Sequence, residues 1–444
     1  MTTTALTSSH HQVGTSAGRF DVVTLLTVYA FLLMVIPSSL VVGSFGAAGA
    51  PATLFAVVLL GWYLLARLHP ALGLDREHQP VRLAAVFFGC AIIAAYVAAN
   101  RVAMPVLEES GADRGLIALA GWLGVLLLAA DGIDRADRLA ALLRRIAAAA
   151  TAMAVVGMLE FFTGLNITKY ISIPGLTVHT QLTDLLSRNG LVRAMATAAQ
   201  PLEFAAVLAM SLPLAIHQAR FASPAQRVRR WLQVALIAGA MPMTVSRSAV
   251  LGLAVIGIVL FPTWPKRDRR RGYLVLLVSL GIMWLAKPSI LSSFGGLFGQ
   301  IGTDGSSTSR TGAYSAAVPF ITQHLWLGHG FQTFFPQTYF FVDNQYLISV
   351  IETGVFGAAA LLALFTTGWL TARRARRAAA GAQARDRAQC LAASVAAAAV
   401  SFATFDALSF SIASGLCFLL LGCVGAAWRL ARAQPARSDE LLAA

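Results

Sequence analysis

The sequence predicts an all-α integral membrane protein with about 12 transmembrane helices. Hydrophobic residues make up 57% of the 444 residues, charged residues make up only 12%, and the mean hydropathy is +0.70. A chain of this composition has too few polar side chains to cover the surface of a soluble globule. Apolar runs of about 17 to 25 residues recur along its whole length, and each can cross roughly 30 Å of hydrocarbon as a helix.

Twelve such runs define the predicted spans. They cover roughly residues 22–43, 51–67, 83–100, 115–130, 146–164, 201–217, 231–245, 247–263, 272–287, 345–370, 389–407 and 409–428. Residues 21–428 therefore form one polytopic membrane domain, between tails at 1–20 and 429–444. The polar, Ser- and Thr-rich tail before the first span is predicted to be disordered.

Two connections on the same predicted side are long. The first covers about residues 166–200, and the second is a large extracytoplasmic loop at about 288–344, between helices 9 and 10. Loops longer than about 15 residues are usually functional or disordered. The second loop contains an amphipathic-looking stretch and many aromatic residues, which suit a membrane interface. We therefore expect it to be ordered and functional.

The basic residues predict the orientation of the spans. When alternate connections are assigned to one side, 26 of the 34 lysines and arginines fall on that side. The positive-inside rule makes that side cytoplasmic and places both termini inside. A basic surface facing anionic headgroups accounts for the net charge of +14. We therefore expect membrane lipids as partners and no nucleic acid. The four cysteines all fall within predicted spans, which is typical of small apolar residues.

Arg247 interrupts an apolar stretch in the sequence Thr-Val-Ser-Arg-Ser. Because basic clusters flank residues 231–264 on both sides, this stretch is predicted to cross the membrane twice as a hairpin of two short helices. Arg247 then lies near the outer surface, at the turn. Two alternatives are that Arg247 reaches the outer headgroups, or that Ser246 and Ser248 cap the helix.

Arg193, Arg247 and Arg310 all fall on the predicted outer side, next to apolar spans. Guanidinium groups bind phosphate oxygens in a bidentate fashion, so this cluster indicates an anionic, lipid-linked substrate. The sequence has no Asp-x-Asp pair and no His/Asp spacing typical of a divalent cation site. We expect no metal and no cofactor, with the arginines offsetting the charge of a diphosphate leaving group.

Three stretches resemble the O-antigen ligase and O-antigen polymerase superfamily of multi-pass glycosyltransferases. They are Arg-Ala-Met-Ala-Thr-Ala-Ala-Gln-Pro-Leu-Glu-Phe from Arg193, the Ser-Arg hairpin at Arg247, and the region from Ser-Arg-Thr-Gly-Ala-Tyr to Asp-Asn-Gln-Tyr. Together they cover about residues 185–360. The last stretch continues to Gly354 and Gly357 at the family's spacing, but Asp343 stands where the ligases have a histidine.

The resemblance implies a metal-independent, inverting transfer of a glycan from a polyprenyl-diphosphate-linked donor to a glycan, lipid or protein acceptor. The transfer would occur at the outer face of a bacterial cytoplasmic (inner) membrane. Arg193 and Arg247 would bind the diphosphate, and Arg310 would support the phosphate or the glycan. Arg188, in the same outer segment as Arg193, is a further candidate for substrate binding.

Asp343 would act on the acceptor hydroxyl as a general base in place of the histidine. The alternative is structural, because Asp343 and Asn344 immediately precede a long helix and suit its N-cap. His329, between two glycines, is a second candidate for the base or for substrate contact. Glu352 lies about two turns into the same helix, where a carboxylate in a membrane needs a partner. It either binds substrate or pairs with an arginine and holds the site together.

A second class of function is compatible with the span count. Twelve spans with internal termini are also common in transporters, so a carrier or flippase of an anionic lipid-linked substrate is the alternative. A carrier should show matching halves and charged residues facing both sides. The concentration of unusual polar residues on the outer side favours the enzyme. Polymerase and ligase activities are not separated by these patterns.

Overall fold

The computed structural model describes residues 21–69, 78–101, 103–179, 185–188, 190–286 and 305–442. The described part is mostly helical. Its α-helices are α1 Val22–Val35, α2 Pro51–Leu68, α3 Pro80–Ala99, α4 Val106–Gly132, α5 Ala136–Thr163, α6 Pro201–Arg220, α7 Pro224–Ala240, α8 Arg247–Leu260, α9 Lys266–Ala286, α10 Gly305–Gln323, α11 Gln345–Ala378, α12 Ala382–Phe402 and α13 Ser411–Leu442. Two short antiparallel pairs join β1 Leu40–Val41 to β2 Thr177–Val178 and β3 Ser187–Arg188 to β4 Leu191–Val192.

Seven helices of the described part are long and apolar enough to cross a membrane. They comprise Pro51–Leu68, Pro80–Ala99, Val106–Gly132, Ala136–Thr163, Pro201–Arg220, Gln345–Ala378 and Ser411–Ala433. The chain is thus an all-α, multi-pass membrane protein. A helix overlaps each of the twelve predicted spans. The remaining ones are shorter or more polar, so the number twelve stays a prediction.

Two predicted boundaries differ from the structure. The first span, predicted at 22–43, is helical only over Val22–Val35. Ile36 precedes Pro37, and a residue before proline is disfavoured in the helical conformation. The predicted loop at 288–344 contains helix α10, which begins at Gly305. The rest of that loop before Gly305 lies outside the described residues. The N-terminal tail at 1–20 also lies outside them.

Helix α6 is central to the bundle. Of its apolar stretch, 94% of the residues are buried, compared with 28% in α2. It packs against α5, α7, α8, α12 and α13. Small residues such as Ala205, Ala209 and Ala215 are fully buried on it, and small side chains allow membrane helices to approach closely. Helices α7 and α8 are joined by the turn at 241–246, as predicted for a helical hairpin.

The two ends of the bundle are held together by different polar contacts. At the arginine-rich end, which holds the connections at 133–135, 221–223 and 379–381, Arg82 binds Asp131 at 2.7 Å and Arg220 binds Asp268 at 2.8 Å. At the opposite end, Ser38 N donates to the Thr197 carbonyl at 2.9 Å. We call this second end, with the connecting segments at 36–50, 164–179, 190–200, 241–246, 324–344 and 403–410, the predicted outer end.

Helix α11 is broken at Gly354, two residues after Glu352. Gly354 has φ 66° and ψ −172°, a region that is essentially restricted to glycine. The break receives the segment 325–330, and the backbone N–H groups of His329 and Gly330 donate to the Ile351 and Glu352 carbonyls at 3.0 and 2.8 Å. A Cβ atom at Gly354 would lie 2.2 Å from the Trp326 carbonyl carbon. The motif glycine is therefore required by both backbone conformation and contact distance.

Replacing Gly354 with alanine should destabilise the protein by about 2 kcal/mol or more, because a side chain is both strained and obstructed there. The matched control is Gly61→Ala in α2, where the space around an added Cβ is open. That change should leave the melting temperature unchanged or slightly higher, since alanine favours a helix. Thermal unfolding in detergent compares the two variants. Equal melting temperatures would contradict the account of Gly354.

Candidate functional site at the predicted outer end

The segment that carries Arg193 is joined to the turn that carries Arg247. Arg193 Nε donates a hydrogen bond to the Thr244 carbonyl at 2.9 Å, and Ala194 N donates to the Met243 carbonyl at 3.0 Å. Thr244 is itself fully buried. Two arginines that are 54 positions apart in sequence are thus carried by two segments in direct contact. The sequence predicted only that Arg193 and Arg247 lie on the same side of the membrane.

Arg247 is the first residue of α8. The side chain of Ser246 caps the helix by accepting from Ser248 N at 3.2 Å, so the predicted capping role of Ser246 is observed. Arg247 is half-buried at the N-terminal end of this helix. The first backbone N–H groups and the dipole of a helix make its N-terminus positive, which disfavours a cation there by about 0.3 to 1 kcal/mol. An anion beside Arg247 would be favoured by both charges.

Asn344, and not Asp343, caps helix α11. The Asn344 Oδ1 accepts from Tyr346 N at 3.0 Å and from Leu347 N at 3.4 Å. Helix capping therefore accounts for Asn344 and does not account for its neighbour. Asn344 Nδ2 also donates to the hydroxyl of Tyr314 in α10 at 3.1 Å. This contact fixes α10 against the start of α11.

Asp343 is half-buried beside this cap, and its charge acts on Asp406 in the connection between α12 and α13. Burial, together with the negative charge of Asp343, raises the pKa of Asp406 to about 6. The same connection is tied to α11, because Leu408 N donates to Gln345 Oε1 at 2.8 Å. Two carboxyl groups from distant parts of the chain therefore share one region.

The side chains of Arg188 and Arg310 lie outside the described part of the structure. Arg188 belongs to strand β3, and its backbone pairs with Leu191, two residues before Arg193. Arg310 belongs to α10, four residues before Tyr314. One helical turn therefore separates Arg310 from the residue that contacts Asn344. The structure brings the backbones of both predicted arginines near the site.

Glu352 is 3% exposed and holds the segment that follows His329. One of its carboxylate oxygens accepts from Phe334 N at 3.2 Å, and the backbone N–H of Gln332 is a second donor to the same side chain. The described partners of Glu352 are thus backbone groups. Glu352 thus holds a loop segment through backbone N–H groups, whereas the sequence suggested an arginine as its partner.

His329 packs against rings. Its ring centroid lies 4.3 Å from that of His324 and 5.6 Å from that of Phe320. Burial and the neighbouring His324 lower the pKa of His329, so its neutral form is favoured at pH 7. Phe320 also contacts Phe334, Tyr339 and Phe340. This aromatic cluster connects His329 to the segment that leads to Asp343.

Two polar contacts at the predicted outer end could not be recognised from any pattern in the sequence. Tyr339 donates to Glu108 at the start of α4, across 231 positions. Glu160 in α5 is fully buried, and its Oε2 accepts from Met195 N at 3.1 Å and from Ala196 N at 2.7 Å. In sequence, Glu160 reads as an acidic residue near the end of an apolar span. Its partner segment is identified only by the fold.

One group in the described part of the chain has donor atoms that could together hold a metal ion: His217, Asp386 and Cys390, all within 4.8 Å of one another. It lies at the arginine-rich end, where His217 Nδ1 and Asp386 Oδ2 are 2.7 Å apart. Arg220 binds the other oxygen of Asp386. Both carboxylate oxygens thus have partners, and the group is remote from the arginines of the predicted outer end.

Comparison with known proteins gives one family match, which covers most of the predicted site residues. Residues 232–362 match the family described as O-antigen ligase. The match contains Arg247, Arg310, His329, Asp343 and Glu352, whereas Arg188 and Arg193 precede it. The chain matches no curated protein. This match over residues 232–362 supports the resemblance to the O-antigen ligase and polymerase superfamily that the sequence motifs indicated.

Proposed function

We propose that this protein is a membrane glycosyltransferase that transfers or polymerises glycan from a polyprenyl-diphosphate-linked donor at the outer face of the bacterial cytoplasmic membrane. The observation that carries the proposal is the joining of Arg193 to the Arg247 turn through the Thr244 carbonyl. The O-antigen ligase match over this turn supports the reaction class. The acceptor is a glycan, a lipid or a protein.

The diphosphate binds between the Arg193 segment and the N-terminus of α8. Guanidinium groups bind phosphate oxygens bidentately, and the first N–H groups of α8 add donors to the same anion. These charges are fixed before the reaction, so they stabilise the negative charge that develops on the departing diphosphate. The proposed transfer therefore draws its leaving-group stabilisation from arginine. Arg310 and Arg188 extend the binding site towards the remaining phosphate or the sugar.

The reaction is a single displacement at the anomeric carbon. The acceptor hydroxyl oxygen forms the new glycosidic bond as the bond from that carbon to the diphosphate oxygen breaks, and the configuration inverts. The polyprenyl diphosphate leaves with the bonding electron pair. Asp343 accepts the hydroxyl proton, which fits a carboxylate that is half-buried and not used as a helix cap. Glu352 keeps the segment after His329 against α11, and His329 contacts the glycan.

Alanine at Arg247 or Arg193 should reduce transfer by about 10²- to 10³-fold, because each removes charge from the site of the leaving group. The measurement is the amount of long-chain surface glycan, separated on a gel, from cells that lack the gene and express each variant at matched membrane levels. Arg377→Ala, an exposed arginine in the last turn of α11, is the matched control and should support normal glycan. Normal glycan from both the Arg193 and the Arg247 variant would refute the proposed glycosyltransferase activity. A transporter of an anionic lipid-linked substrate would then be the favoured function.

The Asp343 and Asp406 pair should give the protein a pH-dependent stability. Because the pKa of Asp406 rises from 3.8 to about 6 in the folded state, the folded state binds this proton more tightly than the unfolded state. The resulting stabilisation is complete below about pH 4 and is lost as the pH rises through about 6. Asp406→Asn should lack this loss.

Melting temperatures of the wild type, Asp406→Asn and Asp343→Asn between pH 4 and 7 would test the pair. The wild type should lose stability relative to Asp406→Asn across that window. Asp343→Asn should show a smaller loss than the wild type, because it removes the negative charge that raises the pKa of Asp406. If the melting temperatures of all three proteins changed with pH in parallel, the two carboxyl groups would not interact.

A further inference from the structure

Three turns at the predicted outer end adopt an unfavourable backbone conformation. Ala196, Val245 and Gln332 are the non-glycine residues with positive φ in the described part of the chain, at 50°, 46° and 61°. Such angles are uncommon for residues with a side chain, and Val245 is β-branched, for which they are least favourable. All three turns belong to the segments that carry or adjoin the predicted site residues. Strained residues of this kind persist only where the surrounding structure holds them.

A glutamate or arginine side chain holds each of the three turns. Glu160 accepts from the N–H groups of Met195 and Ala196, Arg193 donates to the carbonyl of Thr244, and Glu352 accepts from the segment that contains Gln332. In each case the partner is a backbone group at the strained residue or next to it. Each hydrogen bond satisfies a backbone group of the turn away from water, so each contact opposes the local strain.

Two of these contacts form one continuous connection to Arg247. Glu160 fixes the peptide groups of Met195 and Ala196, two and three positions after Arg193. Arg193 in turn fixes the carbonyl of Thr244, three positions before Arg247. The first link is buried: Glu160 and Ala194 are 0% exposed, and Ala196 is 1% exposed.

The face of α5 that carries Glu160 is shaped to receive this segment. Gly157 lies one turn before Glu160, and a Cβ there would lie 2.6 Å from the ring of Phe204 and 3.4 Å from the Cβ of Ala194. The absence of a side chain at Gly157 thus lets the segment and the start of α6 approach the helix. Glu160 then supplies the acceptor for the two N–H groups that this approach buries. Buried backbone donors without acceptors would be costly here.

We propose that Glu160 is a positioning residue for diphosphate binding, acting through Arg193 on the Arg247 turn without touching the substrate. This rests on the proposed function of the two arginines. The carboxylate accepts both N–H groups through Oε2 alone, whereas its Oε1 has no hydrogen-bond partner in the described part of the structure. A single carbonyl oxygen at the same distance therefore suffices for the geometry. Glutamine should retain much of the effect, and alanine should not.

Binding of undecaprenyl diphosphate to the detergent-purified protein tests the proposal. Arg193→Ala should weaken binding by about 10- to 100-fold, the effect of losing one charged contact. Glu160→Ala should weaken it by about tenfold or more, and Glu160→Gln by less. The decisive variant is the double replacement of Glu160 and Arg193 by alanine. It should bind no more weakly than Arg193→Ala, because Glu160 acts through that arginine.

A control separates positioning from loss of fold. Asp131→Ala removes another fully buried carboxylate, which binds Arg82 and Tyr63 at the arginine-rich end. It should lower the melting temperature, yet the folded protein should bind the lipid as the wild type does. Glu160→Gln keeps the test informative if Glu160→Ala does not fold.

The outcomes distinguish the two proposals. Weak binding by Arg193→Ala with unchanged binding by Glu160→Ala would overturn the role of Glu160 and leave the proposed function standing. Additive losses in the double variant would also overturn it, because Glu160 would then act independently of Arg193. Equal binding by the wild type and Arg193→Ala would overturn the proposed function, and the role of Glu160 with it.

Discussion

The predicted outer end depends on hydrogen bonding of backbone amides that leave regular helices inside a membrane protein. Hydrocarbon offers these amides no partner, so irregular backbone is tolerated there only when protein groups satisfy it. Three buried glutamates do so here. Glu160 binds the segment before α6, Glu352 binds the segment before α11, and Glu203 binds Ala199 N at 2.8 Å and Ile412 N at 2.8 Å. Each carboxylate fixes one or more non-helical segments to the bundle.

Glu203 shows how the central helix takes part in this arrangement. It lies in the first turn of α6 and is fully buried. One of its oxygens faces the chain just before α6, and the other accepts from the first N–H groups of α13. A carboxylate between two helix N-termini is stabilised by both dipoles. The starts of α6 and α13 are therefore held at the same level, and the arginine-bearing segment enters α6 from a fixed point.

Much of the fold was accessible from the sequence because hydropathy and helix length are local properties. The helical hairpin around Arg247 and the cap formed by Ser246 followed from local patterns of this kind. The shared side of Arg193 and Arg247 followed from the distribution of basic residues. The sequence also marked Asn344 as a possible cap, although it could not separate the roles of Asn344 and Asp343. That separation required the hydrogen bonds of Asn344 to Tyr346 and Leu347.

The contacts between segments could not be predicted in the same way. Glu160 and Ala196 are 36 positions apart, Gln345 and Leu408 are 63 apart, and Glu108 and Tyr339 are 231 apart. A carboxylate that accepts from backbone N–H groups needs no particular side chain opposite it, so no residue pattern marks its partner. The failed boundary at the first span has a different cause, since Pro37 ends a helix within an otherwise apolar run.

The crossing of the segment 325–330 with the broken turn of α11 limits how the acceptor of the proposed transfer can enter. Four backbone hydrogen bonds join the two segments, and their donors are the N–H groups of His329, Gly330, Val355 and Phe356. The glycines at 328 and 354 allow the two backbones to approach closely. The two pieces must therefore move as a single rigid body. The acceptor of the proposed transfer therefore cannot pass between them.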